Sequence, residues 1–120
     1  MKAITFSRFG GPEVLTYQED FPIPSPGPRE VLMQVHAHGL NPKDYSIRSG
    51  HLQWITGKRF PMQIGSDAAG VVEAVGEKVT HWKPGDRVFG YLNLYHGGAA
   101  SEFCRFSEKA IARIPEGVDY

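Results

Sequence analysis

Cysteine is nearly missing: Cys104 stands alone in 120 residues. That excludes an internal disulfide framework and any cysteine-rich metal site. Charge of one sign is not in excess, with 13 basic and 13 acidic side chains, so no basic face for nucleic acid or anionic lipid is predicted. No apolar run approaches the roughly 20 residues of a membrane-spanning helix. The opening Met1-Lys2-Ala3-Ile4-Thr5-Phe6-Ser7-Arg8 meets charge again before a signal-peptide core could form. Nor does the chain contain a G-x-G-x-x-G or A-x-x-G-x-x-G turn of the kind that cradles a dinucleotide pyrophosphate. These absences predict a cytoplasmic protein with no nucleic-acid partner and no membrane span.

Turn formers are plentiful. Fourteen Gly and nine Pro favour short strands joined by many turns, while 41% hydrophobic residues support a packed core. Strands are predicted over 1–6, 14–19, 30–38, 67–75, 87–92, 101–106 and 110–114 from apolar alternation and β-branched content. In 30–38, Val31, Met33, Val35 and Ala37 fall on one face and Leu32, Gln34, His36 and His38 on the other. His36 and His38 therefore share a face; lacking a third ligand, they read as half-buried strand residues and not as a metal site. Pro22-Ile23-Pro24-Ser25-Pro26-Gly27-Pro28 cannot donate ladder hydrogen bonds and reads as a stiff surface connector. Asn41 is placed as a helix N-cap, with Pro42 at the first helical position and Asp44 in the first turn. The segment 50–59 reads as a loop. Pro84-Gly85-Asp86-Arg87 reads as a turn whose Asp and Arg tie it to neighbours, and Cys104 as a small core residue. Gly70 and Gly76 admit two readings, ligand-adjacent backbone or strand corner.

Three blocks follow one another in order: Gly39-Leu40-Asn41-Pro42-Lys43-Asp44-Tyr45-Ser46-Ile47-Arg48-Ser49-Gly50, then Gly65-Ser66-Asp67-Ala68-Ala69-Gly70-Val71-Val72-Glu73-Ala74-Val75-Gly76, then Lys83-Pro84-Gly85-Asp86-Arg87-Val88. With Phe9-Gly10-Gly11-Pro12-Glu13-Val14-Leu15 and Gly97-Gly98-Ala99-Ala100-Ser101-Glu102-Phe103, they resemble the catalytic domain of the medium-chain dehydrogenase/reductase family over essentially the whole chain. The resemblance is to its zinc-independent, quinone oxidoreductase-like members. It implies a mainly β, GroES-like, partly open barrel with one or two short helices.

The resemblance also implies a chemistry. In the family's alcohol dehydrogenases a catalytic zinc takes its first two ligands from the positions occupied here by Asn41 and Ser66. Neither is a usual zinc ligand, so the expectation is an enzyme without metal. Hydride transfer from a nicotinamide then needs an acceptor that already delocalises charge onto oxygen, such as a quinone or an α,β-unsaturated carbonyl. Candidate catalytic residues are Asn41 and Tyr45; the family's quinone reductases more often carry the tyrosine one position later, where Ser46 stands. Lys43, Asp44, Arg48, Ser66 and Asp67 are expected along the cleft for substrate and cofactor.

The family's cofactor, NADP(H), is held mainly by a second, Rossmann-type domain, and no such sequence occurs in residues 1–120. The chain therefore reads as a GroES-like substrate domain ending at the boundary with the cofactor domain. Alone it is expected to be inactive and to expose apolar surface that favours self-association. A stand-alone GroES-like binding module, without catalysis, is the alternative.

Overall fold

The computed structural model describes residues 1–93 and 96–120. Its elements are β1 (Ala3–Phe6), a 3-10 turn (Pro12–Val14), β2 (Leu15–Gln18), β3 (Glu30–Gly39), α1 (Pro42–Arg48), α2 (Gln53–Thr56), β4 (Met62–Gln63), β5 (Asp67–Val75), β6 (Arg87–Tyr91), β7 (Phe103–Ser107) and β8 (Ile111–Arg113). The protein is mainly β, as expected, and no doubly wound parallel sheet occurs among the described residues. Neither helix is long and apolar enough to cross a membrane.

Two antiparallel sheets result, one ordered β2-β1-β4 and the other β7-β3-β5-β6-β8. They do not close into a barrel. They meet where Ala3 bridges Ser101, with the Ile4 N–H donating to the Ala100 carbonyl at 2.9 Å and the Glu102 N–H to that of Lys2 at 3.0 Å. One core packs Val31, Met33, Val72, Val88, Cys104 and Phe106 inside the larger sheet. A second packs Phe6, Val14, Ile47, Ile64 and Ala100 beneath α1. Cys104 lies in the first, and burial pushes its thiol up to about 12, which leaves it a core side chain and not a nucleophile.

Several local expectations need correction. The segment 50–59 contains α2, a single turn too short to show an amphipathic period. β4 has only two residues and pairs with β1; its sequence carries no alternation to read. His36 and His38 are exposed, not half-buried. His36 is the extra residue at a bulge, because Val35 pairs with Gly70 while Ala37 pairs with Ala69. Its ring stacks on Tyr120 at a centroid distance of 4.5 Å.

The Pro84 turn behaves as its sequence suggests. The Asp86 carboxylate accepts from the Lys83 N–H at 3.1 Å and from Arg113 Nη1 at 3.2 Å, and Arg87 donates to the Tyr120 hydroxyl at 3.0 Å and the Val118 carbonyl at 2.8 Å. Burial would raise the Asp86 carboxyl, but the Lys83 N–H and Arg113 outweigh it and hold the group below the usual carboxylate range. Such a group stabilises the fold fully above its unfolded-state value and loses that contribution as pH falls through the folded one. Asp86→Asn should therefore cost about 1 kcal/mol in urea melts at pH 7, with the gap narrowing below about pH 4. An equal gap at pH 3 and pH 7 would assign the effect to packing instead.

Candidate functional site

The site grows from the end of β3. Gly39 pairs with Asp67 at the start of β5, so the residues after Gly39 emerge beside the segment 64–67. Asn41 takes the extended N-cap conformation, and Pro42 at the first helical position has no N–H to leave unpaired. Two residues on, Asp44 is buried. One of its carboxylate oxygens accepts the Asn41 N–H at 2.7 Å and the other the Gly65 N–H at 2.9 Å. Asp44 thus brackets the start of α1 to the segment that carries Ser66. Gly65 has φ +84°, and a Cβ there would lie 2.6 Å from the Ala100 nitrogen; only glycine fits the bracket at that point.

Around the bracket the polar side chains interlock. The Asn41 amide donates to the Asp67 carboxylate. The Lys43 ammonium donates to the fully buried Ser66 Oγ at 2.7 Å, to the Asn93 carbonyl, and to the His96 carbonyl at 3.1 Å. It also lies 5.4 Å from the centre of the Tyr91 ring. Burial pushes the Lys43 amine below the usual lysine range, against the pull of Asp44 and Asp67.

Five of the expected site residues, Asn41, Lys43, Asp44, Ser66 and Asp67, are therefore joined in one network. Tyr45 stands apart: it is exposed and lines an apolar notch of about 210 Å³ with Pro12, Leu15, Leu40 and Asn41. Arg48 borders the same notch, but its guanidinium donates back to the Gly10 carbonyl at 3.3 Å, so it braces the N-terminal hairpin. On the other side, Asp67 and Tyr91 line an open cavity of about 610 Å³ floored by Ala68, Ala69, Phe89 and Ile111. Phe89 and Tyr91 are exposed there. Sequence reading does not single out Tyr91, nor the carbonyls of Asn93 and His96. Those acceptors are backbone atoms, and any residue type would supply them.

The donor set does not fit a catalytic zinc. Ser66 Oγ already accepts from an ammonium, and Asn41 donates its amide to Asp67; a cation between them would face Lys43. Among the described residues no three His, Cys, Asp or Glu side chains converge on one point. For a nicotinamide nucleotide the fit is one-sided. Asn41 stands at the cleft, yet among the described residues no glycine-rich turn opens a long helix for the pyrophosphate.

The sequence profile of the alcohol dehydrogenase GroES-like domain matches residues 27–116. The quinone oxidoreductase of Mus musculus is 42% identical over 120 residues, which is 100% of this chain and 35% of the relative. Among solved structures, the quinone oxidoreductase of Pseudomonas syringae pv. tomato DC3000 superposes with a TM-score of 0.87 at 41% identity, covering 98% of this chain and 34% of its own. That of Escherichia coli in complex with NADPH gives 0.86 at 33% identity, covering 99% and 35%. The chain thus spans about a third of the length of these relatives.

Proposed function

The chain belongs to the alcohol dehydrogenase GroES-like domain family, and from that membership we propose that residues 1–120 form the substrate-side domain of a zinc-independent, NADP(H)-dependent oxidoreductase of the cytoplasm. Its substrates would be small quinones or α,β-unsaturated carbonyls. One observation supports this reading more than any other: an ammonium seated on Ser66, in the place that the family's alcohol dehydrogenases give to a metal ligand. Relatives named as quinone oxidoreductases, including one solved with NADPH, support the same reading. The half-buried polar cluster beside an apolar cavity supports this reading over that of a non-catalytic binding module.

When bound, the reduced nicotinamide supplies the hydride. This chain orients and polarises. The apolar wall of the open cavity beside Tyr91 would pack against one face of a planar ring. Asn41 would meet the substrate or nicotinamide from the start of α1, its orientation set by the Asp67 partner. Tyr45 presents its hydroxyl from the notch to a substrate oxygen or to solvent. Asp44 touches neither substrate nor cofactor in this scheme; it holds Asn41 and Ser66 at their spacing.

With the pyrophosphate held elsewhere, the 120-residue chain should bind menadione yet show no NADPH-dependent menadione reduction above the uncatalysed rate. Amide shifts on menadione addition should concentrate at Asn41, Tyr45, Asp67 and Tyr91. Turnover by the isolated chain, or shifts at none of these residues, would refute the assignment.

A further inference from the structure

We propose that the Lys43 ammonium receives the substrate oxygen on which negative charge develops, exchanging its contact with the His96 carbonyl for that oxygen. The inference rests on the quinone- or enone-reducing function above and assigns that function its positive charge. Adding hydride to a conjugated carbonyl leaves an oxyanion, and a metal-free site must meet it with a fixed cation or with aimed donors. The other side chains of the network are poorly suited. The Asn41 amide is committed to Asp67, Asp44 and Asp67 are acidic, the Ser66 hydroxyl is fully buried, and Arg48 is turned to Gly10. Lys109 borders the 610 Å³ cavity from the turn before β8, but it is exposed and nothing ties its ammonium to Ser66.

Lys43 differs because it is positioned. An ammonium has three donors, and here they go to Ser66 Oγ at 2.7 Å, to the Asn93 carbonyl, and to the His96 carbonyl at 3.1 Å. Ser66 is an immobile anchor, because its own backbone carbonyl holds the Leu92 N–H at 2.8 Å at the edge of β6. His96 is exposed. An anionic oxygen is a stronger acceptor than an amide carbonyl, so replacing the His96 contact exchanges a weaker bond for a stronger one. The Tyr91 ring, 5.4 Å from the ammonium and itself on the cavity wall, leads from the apolar floor to the charge. The partial desolvation that lowers the lysine's basicity also strengthens its attraction for an anion. The position of the His96 carbonyl is thereby linked to occupancy of the site.

The test uses 4-nitrophenol, whose phenolate mimics the charged oxygen, and menadione, a neutral quinone, with the 120-residue chain. The wild-type chain should bind phenolate in roughly tenfold preference to phenol, a ratio read from the displaced titration of the bound chromophore. The His96 and Gly97 amide resonances should shift with the phenolate. Lys43→Met should bring phenolate and phenol to equal affinity, while Lys78→Met, exposed and away from the cavity, should keep the tenfold preference. Should Lys43→Met fail to fold, the Lys43 Nζ resonance of the wild-type chain should move on adding phenolate. An unchanged preference in Lys43→Met, or a Lys43 resonance indifferent to the probe, overturns the proposal. If phenolate binds through Lys43 while menadione does not bind, the anion site stands and the quinone reading falls.

Discussion

Gly70→Ala is expected to abolish cooperative folding. A Cβ on Gly70 would lie 1.9 Å from the Gln34 carbonyl oxygen and 2.9 Å from its carbon, far inside any tolerable contact. The obstacle is backbone, so no rotamer change relieves it. Gly70 pairs with both Val35 and Val88, which places it in β5 between its two neighbours and next to the bulge at His36. Separating β3 from β5 would open the larger core, a cost above about 4 kcal/mol in a fold whose whole stability is of order 5–15 kcal/mol. Gly85→Ala is the control. Gly85 has φ +94° but open space around its Cβ position, so the substitution should cost only about 1–2 kcal/mol of backbone strain. Circular dichroism melts decide the matter: a Gly70→Ala protein melting within a few degrees of Gly85→Ala would show that β3 and β5 separate more easily than the structure implies. Of the two readings that the sequence left open for Gly70, the strand contact is the one the structure displays.

Asp44→Ala is the second large effect. It removes the shared acceptor of the Asn41 and Gly65 N–H groups, leaving one donor buried and one partly buried. At about 1–3 kcal/mol for each unsatisfied group, the loss should lower the melting midpoint by roughly 10 °C or more. Asp44→Asn should cost less but still lose one of the two bonds, because one end of an amide is itself a donor. The site should loosen along with the fold. Without the bracket, Asn41 and Ser66 are no longer held at a common spacing, and the amide shifts that menadione produces at Asn41 should weaken even in the fraction that remains folded. Full retention of the wild-type midpoint in Asp44→Ala would mean that water satisfies both donors.

Asp44 also marks the limit of what sequence can reveal. Its place in the first turn of a helix is legible, and the local rule assigns it to the helix dipole. Its second partner, the Gly65 N–H, is 21 residues away, and no spacing rule reaches that far. Arg48 shows the same limit: it borders the notch beside Tyr45, and its bond to the Gly10 carbonyl, 38 residues away, is one that no spacing rule reaches. His36 was displaced by one inserted residue, because a bulge changes the pairing downstream of it. The four-residue α2 and two-residue β4 are simply shorter than the periods by which helices and strands are recognised.

Local sequence by itself determined seven of the eight strands, the turns, the Asn41-Pro42 helix start and the absence of zinc-type ligands at positions 41 and 66. Each depends on side-chain alternation, on turn chemistry or on residue type at one place. Only the tertiary structure decided that Lys43, and not Arg48, joins the polar network, that backbone carbonyls of Asn93 and His96 complete its shell, and that Asp44 ties two distant segments. Those outcomes depend on which strands pair and in what register, since pairing Gly39 with Asp67 brings residues 41–44 beside residues 64–67, and a contact of that range is a property of the folded sheet and not of any window of sequence.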